Sequence, residues 1–156
     1  NHLIARIDRE TKQFTWEMCD WKLGHQHDVQ KLESGNILVY ANGAHGPYHG
    51  PNEGSRIFEI DPATNETVWE YSGSPAYTFD SPFISGCQVM PNDNVLICEG
   101  RSGRLFEVTR EGEIVWNFNS PYVAPNAPYA PGCSIFRCYR YAADSAEIAG
   151  RLGDPS

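Results

Sequence analysis

Two histidines that are one residue apart, His25 and His27, are followed directly by Asp28 in the stretch HQHDVQ. A neutral imidazole nitrogen can attack an electrophile, whereas histidines grouped with a carboxylate can bind a metal ion. Residues two apart on a strand point to the same side, which suits either role. His45 and His49 follow in a loop rich in glycine and proline. A nucleophilic role for His27, a metal site built from the four histidines and plain structural hydrogen bonding therefore remain open.

The elements that must hold these histidines are predicted by an internal repeat. The stretch ARIDRETKQFTWEM from Ala5 matches FEIDPATNETVWEY from Phe58 without a gap, and FEVTREGEIVWNF from Phe106 is a third, shorter copy. Each copy is typical of a strand, a turn and a returning strand. The tryptophan in the returning strand is predicted to be an apolar anchor between neighbouring sheets. These anchors are Trp16, Trp69 and Trp116.

A second repeated element precedes two of these hairpins. QKLESGNILVYANG matches QVMPNDNVLICEG, and with the following hairpin each makes a four-stranded unit of about 50 residues, which is typical of a β-propeller blade. We predict an all-β chain with about two and a half four-stranded blades. The segments are residues 1–20, 24–72, 83–119 and 132–141, the last expected to give one strand, followed by a C-terminal tail at residues 142–156.

Such a set of blades cannot close a ring, because propellers close with about 4–8 blades. We therefore expect the missing blades to come from the same precursor or from another chain. The first residue, Asn1, is not a methionine, which agrees with residues upstream in the natural protein.

Composition excludes several functions. The net charge is −8 and acidic residues are spread along the chain, so we expect neither nucleic acid nor an anionic membrane as a partner. No run approaches the roughly 20 apolar residues of a membrane span. The five cysteines lack the CxxC spacing of a structural zinc site. They are either small buried hydrophobes or members of one or two disulfides.

The motifs QHDVQ with YANG, and SPFISG, together with the hairpin pattern, resemble the C-terminal half of the arylsulfotransferase-like β-propellers over about residues 20–141. That resemblance implies a six-bladed ring and an extracytoplasmic location. It also implies a histidine that is transiently sulfated as a sulfuryl group passes from an aryl sulfate to a phenol. His27 is the matching residue. No cofactor is expected, unless the histidine cluster binds a metal ion.

The resemblance also implies supporting residues around His27. His25, Asn42 and Ser85 are expected to bind substrate, while an arginine and further histidines would come from blades outside this chain. Ala41 stands where the family has an aspartate in FDNG, so a polar group that could orient the site is expected to be missing. This difference favours a second hypothesis, a non-catalytic binding or assembly propeller. A metal-using propeller enzyme is a third hypothesis.

Overall fold

The structure is a computed structural model and describes residues 2–43, 54–123, 132–151 and 153. Within these ranges the regular elements are ten β-strands and three short 3-10 helices. The helices are Trp21–Leu23, Ala76–Thr78 and Gly100–Ser102. The strands are β1 Leu3–Ile7, β2 Phe14–Cys19, β3 Gln26–Lys31, β4 Ile37–Ala41, β5 Arg56–Asp61, β6 Glu66–Ser72, β7 Gly86–Val89, β8 Val95–Glu99, β9 Arg104–Val108 and β10 Ile114–Asn119.

The strands form three antiparallel sheets in sequence order. The first sheet is the hairpin β1-β2, the second is β3-β4-β5-β6 and the third is β7-β8-β9-β10. The three predicted hairpins are present as β1-β2, β5-β6 and β9-β10. Short polar turns close them; for example, Asp61 Oδ1 accepts from the Ala63 N–H at 2.8 Å, and Asn65 adopts φ 62°. The all-β prediction is confirmed.

Strand β4 separates two hydrophobic cores. All five of its residues are buried, and because side chains alternate along a strand they supply both sides. Leu38 and Tyr40 pack into the core shared with the third sheet. Ile37, Val39 and Ala41 pack into the core shared with the first sheet. The second sheet is therefore covered on both faces, which explains the uninterrupted apolar run of β4.

Four aromatic rings fill the core between the second and third sheets. Phe79, in the connection between these sheets, lies edge-on to Tyr40 and to Phe106, each at 5.6 Å between ring centroids. Tyr71 lies 5.4 Å from the Phe79 ring. Phe79 is 1% exposed, so this connection is a packed part of the core. Aromatic pairs at such distances add to the free energy gained by burial.

An ion pair reinforces the contact between the second and third sheets. Glu59 on β5 accepts from the Asn36 side chain at 2.7 Å and from Arg110 Nη1 at 2.7 Å. Arg110 lies in the turn after β9, with its guanidinium 5.0 Å from the centre of the Trp69 ring. Trp69 Nε1 donates to the Arg110 carbonyl at 2.8 Å. The prediction that this tryptophan anchors neighbouring sheets is confirmed.

The same arrangement recurs one sheet later. Glu107 on β9 accepts from the Asn94 side chain at 2.7 Å and from Arg140, which stands 4.9 Å from the centre of the Trp116 ring. Arg140 belongs to the C-terminal segment, defined here as residues 132–151. This segment therefore contacts the third sheet in the way that the third sheet contacts the second.

The C-terminal segment follows the third sheet as extended chain and turns. The predicted strand within residues 132–141 is absent from the described structure, where an isolated bridge residue stands at Gly132. The Ser85 N–H donates to the Phe136 carbonyl at 3.1 Å, and the Ile135 N–H donates to the Gly100 carbonyl at 2.9 Å. Within the described residues these single bonds do not extend into a ladder. None of the helices described could span a membrane, since none is long and apolar enough.

Candidate active site

His27 lies on β3, the end strand of the second sheet. In the register it stands opposite Tyr40 on β4, so the two side chains share one face. Tyr40 is fully buried beneath this position, and burial raises the pKa of its hydroxyl, which therefore stays protonated. His27 is half-buried and more accessible than Tyr40. The imidazole is thus the more accessible of these two polar side chains.

A β-bulge immediately follows His27. The pairing passes from His27 opposite Tyr40 to Gln30 opposite Leu38, so two residues of β3 face one residue of β4. Asp28, the first of the two, adopts φ 51°, in the left-handed region. Bulges bend the strand and change the direction of neighbouring side chains. The direction of the His27 side chain is consequently set by an irregular part of the strand.

One hydrogen bond fixes the His27 ring. Its Nδ1 lies 2.6 Å from the side-chain oxygen Oδ1 of Asn42. The Asn42 amide nitrogen donates to the carbonyl oxygens of Ser81 at 2.6 Å and Ile84 at 2.9 Å. Carbonyl oxygens only accept, so the amide NH₂ must face them and Oδ1 must face the histidine. His27 Nδ1 is therefore the protonated nitrogen, and in the neutral ring Nε2 carries the free lone pair.

Asn42 supplies the polar partner that the sequence indicated was missing. The expectation rested on Ala41, which replaces an aspartate of the related motif. Ala41 is 1% exposed and packs into the core between the first and second sheets, so its side chain points away from the His27 face. The next residue, Asn42, is also 1% exposed and orients the histidine. Because side chains alternate along β4, Ala41 and Asn42 lie on opposite faces. The expectation that a polar partner of His27 is missing is therefore wrong.

His25 lies beside His27. It precedes β3, is exposed and adopts φ 59°. The two rings stack with their centroids 5.3 Å apart and their planes 25° apart. The side chains are thus on the same side, as the spacing predicts. His25 can cover one face of the His27 ring and contact a molecule bound there.

Ser85 lies beneath the candidate site, in a network of hydrogen bonds that supports it. Its side chain is 2% exposed, its hydroxyl donates to the Ser81 hydroxyl at 2.8 Å, and it accepts from the Gly100 N–H at 3.0 Å. Ser55 continues this network, because its hydroxyl donates to the Asn42 carbonyl at 3.0 Å. These serines hold the loop whose carbonyls orient Asn42. The structure therefore brings Ser85 close to the expected site but below its surface.

The metal alternative involves two histidines that lie outside the described residues, His45 and His49. Among the residues that are described, no group of three or more histidine, cysteine, aspartate or glutamate side chains could hold a metal ion. All five cysteines are free, and Cys87 and Cys98 are buried. Burial raises the pKa of the Cys98 thiol to about 12, so it is an unreactive core residue.

The structure adds contacts that the sequence analysis missed. Asp28 reaches across to the backbone N–H of Cys87 at 3.0 Å and accepts from the Tyr139 hydroxyl at 2.7 Å. Arg137 Nε lies 3.5 Å from the same carboxylate. The partners are 59 and 111 residues away in the chain for Cys87 and Tyr139, so no local spacing signals them. Two residues of the C-terminal segment therefore lie next to the strand that carries His27.

Comparisons with known proteins bear on the family and on the fold. A family model described as Arylsulfotransferase (ASST) matches residues 11–121, which include His27, Asn42 and Ser85. A crystal structure of a protein of unknown function from Bacteroides caccae is similar, with a TM-score of 0.53 and 15% sequence identity. The match covers 76% of this chain and 39% of that chain. At this identity the likeness concerns the fold alone. No curated protein matches the chain.

Proposed function

The chain belongs to the arylsulfotransferase (ASST) family, and we propose that its His27 is the nucleophile that carries a sulfuryl group between phenolic compounds. The observation that carries the proposal is the hydrogen bond of 2.6 Å between His27 Nδ1 and Asn42 Oδ1. It keeps the proton on Nδ1 and leaves the Nε2 lone pair available for attack.

The proposed reaction has two steps. In the first, the Nε2 lone pair forms a bond to the sulfur of an aryl sulfate, and the bond between sulfur and the aryl oxygen breaks. The aryl oxygen leaves with the electron pair and takes a proton from solvent. In the second, the oxygen of an acceptor phenol attacks sulfur and releases its proton to solvent, and the N–S bond breaks. The imidazole is regenerated neutral, so one difficult displacement becomes two easier ones.

Asn42 also fits the charge that develops. When Nε2 bonds to sulfur, positive charge spreads over the ring and reaches Nδ1–H. The Asn42 oxygen is aimed at that hydrogen and is itself fixed by two hydrogen bonds to the Ser81 and Ile84 carbonyls. A preorganised dipole that needs no rearrangement stabilises such charge effectively. Ser85 contributes indirectly, through the Ser81 loop, and His25 is proposed to contact the substrate.

The whole-protein architecture is part of the same proposal. We take the second and third sheets as propeller blades and the first sheet as part of another, in a ring completed by strands outside this chain. Support comes from the repeated Asn-Glu-Arg contacts, which join the second sheet to the third and the third sheet to the C-terminal segment. The groups that surround the sulfuryl oxygens would lie on those other blades. An extracytoplasmic location rests on family membership alone.

The main argument for a non-catalytic binding propeller no longer applies. That argument was the replacement of an aspartate by Ala41, whose side chain lies in the core and not at the site. That residue therefore no longer distinguishes a catalytic from a non-catalytic protein. The choice between the two depends on whether His27 reacts.

The test is a steady-state assay of the natural full-length protein with a chromogenic aryl sulfate as donor and a phenol as acceptor. We expect His27→Ala to lower kcat by roughly 10³-fold or more, as removal of a covalent nucleophile does. His25→Ala is the matched control, because it removes a neighbouring ring and should mainly raise KM. Melting of both variants at the wild-type temperature would show that a loss of rate is not a loss of folding. Wild-type rates in His27→Ala would contradict the proposal.

A further inference from the structure

The carboxylate of Asp28 is anchored on two sides. Oδ2 accepts from the Cys87 backbone N–H at 3.0 Å and from the Gln30 side chain at 3.0 Å, while Oδ1 accepts from the Tyr139 hydroxyl at 2.7 Å. The side chain is only 4% exposed, although Asp28 belongs to an end strand. Arg137, 3.5 Å away, offsets its negative charge. A charged group this buried is kept by its partners and would be costly without them.

The backbone of Asp28 forms the bulge next to His27. Its φ of 51° is unfavourable for most side chains, although aspartate and asparagine tolerate it better than others. Such a conformation persists only where the surroundings hold it. Here the hydrogen bonds of the carboxylate hold it, because they attach the bulge to β7 and to the C-terminal segment.

The third sheet leaves room for this carboxylate only because residue 86 is glycine. A Cβ on Gly86 would lie 2.3 Å from Asp28 Oδ2, far inside van der Waals contact. Gly86 is not in the left-handed region, so backbone conformation alone does not require glycine there. The close approach of Asp28 thus explains why residue 86 is a glycine.

We propose that Asp28 is the positioning residue for His27: its anchored carboxylate holds the bulge that directs the imidazole toward Asn42, and Tyr139 completes the anchor from the C-terminal segment. This inference rests on the proposed function for its kinetic readout. It also extends the site beyond the family match, which ends at residue 121. His27 is then held twice, at its ring by Asn42 and at its backbone by Asp28.

Three variants of the full-length protein test the proposal. Asp28→Asn keeps a residue that tolerates the left-handed conformation but weakens the anchor. Gly86→Ala displaces the carboxylate without changing Asp28, and Tyr139→Phe removes a single donor. Asp61→Asn is the matched control, because Asp61 accepts a backbone N–H in a turn of the second sheet away from His27. Thermal melting identifies any variant that fails to fold. If Asp28→Asn or Gly86→Ala does not fold, Tyr139→Phe still tests the proposal, because it changes a partly exposed residue.

Two readouts are measured: kcat and KM for sulfuryl transfer, and the ¹⁵N chemical shifts of the His27 ring, which report which nitrogen is protonated. We expect kcat to fall about 10- to 100-fold in Asp28→Asn and Gly86→Ala, with KM within about twofold, because small misplacements of a reacting group have effects of this size. The ring shifts should move from a fixed Nδ1–H state toward a mixture of tautomers. Tyr139→Phe should show the same changes more weakly, and Asp61→Asn should show neither.

Wild-type ring shifts in all three variants would overturn the proposal, whatever happens to the rate. Lowered kcat with unchanged shifts would also overturn it, because Asp28 would then act by another route. If the wild-type protein transfers no sulfuryl group, the proposed function fails, and the ring shifts alone decide the role of Asp28.

Discussion

The second and third sheets have the same strand order and the same Asn-Glu-Arg contact to the next unit, yet they differ where their first strands begin. His27 precedes Gln30 by three residues, as Ser85 precedes Gln88. His27 is half-buried and bonds to Asn42, whereas Ser85 is 2% exposed and bonds to the Gly100 N–H. One position of the sequence repeat thus carries an accessible imidazole in one sheet and a buried hydroxyl in the other.

This difference shows how equivalent positions of a repeated scaffold can carry different polar side chains. The apolar positions and the hairpins are common to both sheets because each sheet must bury two faces. The polar residues at the beginning of the first strand are not needed for packing and can differ. Changes to the shared part should therefore alter stability, and changes at the histidine strand should alter reactivity more than stability.

The largest effect on stability is expected in the core that the two sheets share. Phe79→Ala removes a ring that is 1% exposed and contacts aromatic rings of both sheets. We expect the free energy of unfolding to fall by about 3–5 kcal/mol, measured by denaturant titration. Phe14→Ala is the control, because Phe14 is 61% exposed and its loss should have little effect. Equal effects of the two substitutions would mean that the sheets do not share this core.

Asn42→Ala should affect both stability and reactivity. It removes the acceptor of His27 Nδ1 and leaves the Ser81 and Ile84 carbonyls without their side-chain donor. We expect a loss of about 1–3 kcal/mol in unfolding free energy together with a lower kcat. Asn36→Ala, at the opposite end of β4, breaks the contact to Glu59 and should lower stability with kcat unchanged. A normal kcat in Asn42→Ala would separate Asn42 from the site.

The two Asn-Glu-Arg contacts should differ in strength. Arg110 is 23% exposed and also binds Asp93 at 2.7 Å, whereas Arg140 is 39% exposed. Arg110→Met should cost about 1–3 kcal/mol of unfolding free energy, because it leaves the buried Glu59 carboxylate without its cation. Arg140→Met should cost less than Arg110→Met, because Arg140 is the more exposed of the two cations, although it also leaves a buried carboxylate, that of Glu107, without its cation. The reverse order would show that the C-terminal segment is the more firmly held unit.

Acid should weaken the contact at Glu107. Hydrogen bonds from Asn94 and Arg140 hold the pKa of this carboxyl below its usual value of 4.5, against the opposing effect of burial. Its contribution to stability is therefore complete above about pH 4.5 and is lost as the pH falls through the lower pKa of the folded state. We expect the melting temperature of the wild-type protein to fall more steeply below pH 4.5 than that of Glu107→Gln. Parallel curves would contradict this account.

The hairpins and sheets could be predicted from the sequence because their signals are local. Period-2 alternation, turn residues and the repeated tryptophans each act within a few residues. The resemblance of short motifs indicated His27 and Asn42 in the same way. The uninterrupted burial of β4 follows from having a neighbouring sheet on both faces, which the repeat also predicts.

The contacts that orient His27 could not be predicted because they depend on register and on distant residues. The position of the Ala41 side chain could not be predicted, since the sequence does not say which face of β4 lies toward the histidine. The bulge at Asp28 changes the side-chain direction without any glycine to signal it. Its partner Cys87 comes from another sheet, and Tyr139 comes from a segment whose expected strand did not form.

The most direct test of the central claim is to trap the sulfated histidine. The full-length protein would be mixed with an aryl sulfate in the absence of acceptor, quenched rapidly under alkaline conditions and analysed by peptide mass spectrometry. We predict one SO₃ group on the peptide that contains His27, lost on addition of a phenol and absent in His27→Ala. An active protein whose sulfuryl group is found on another residue, or on none, would contradict the account.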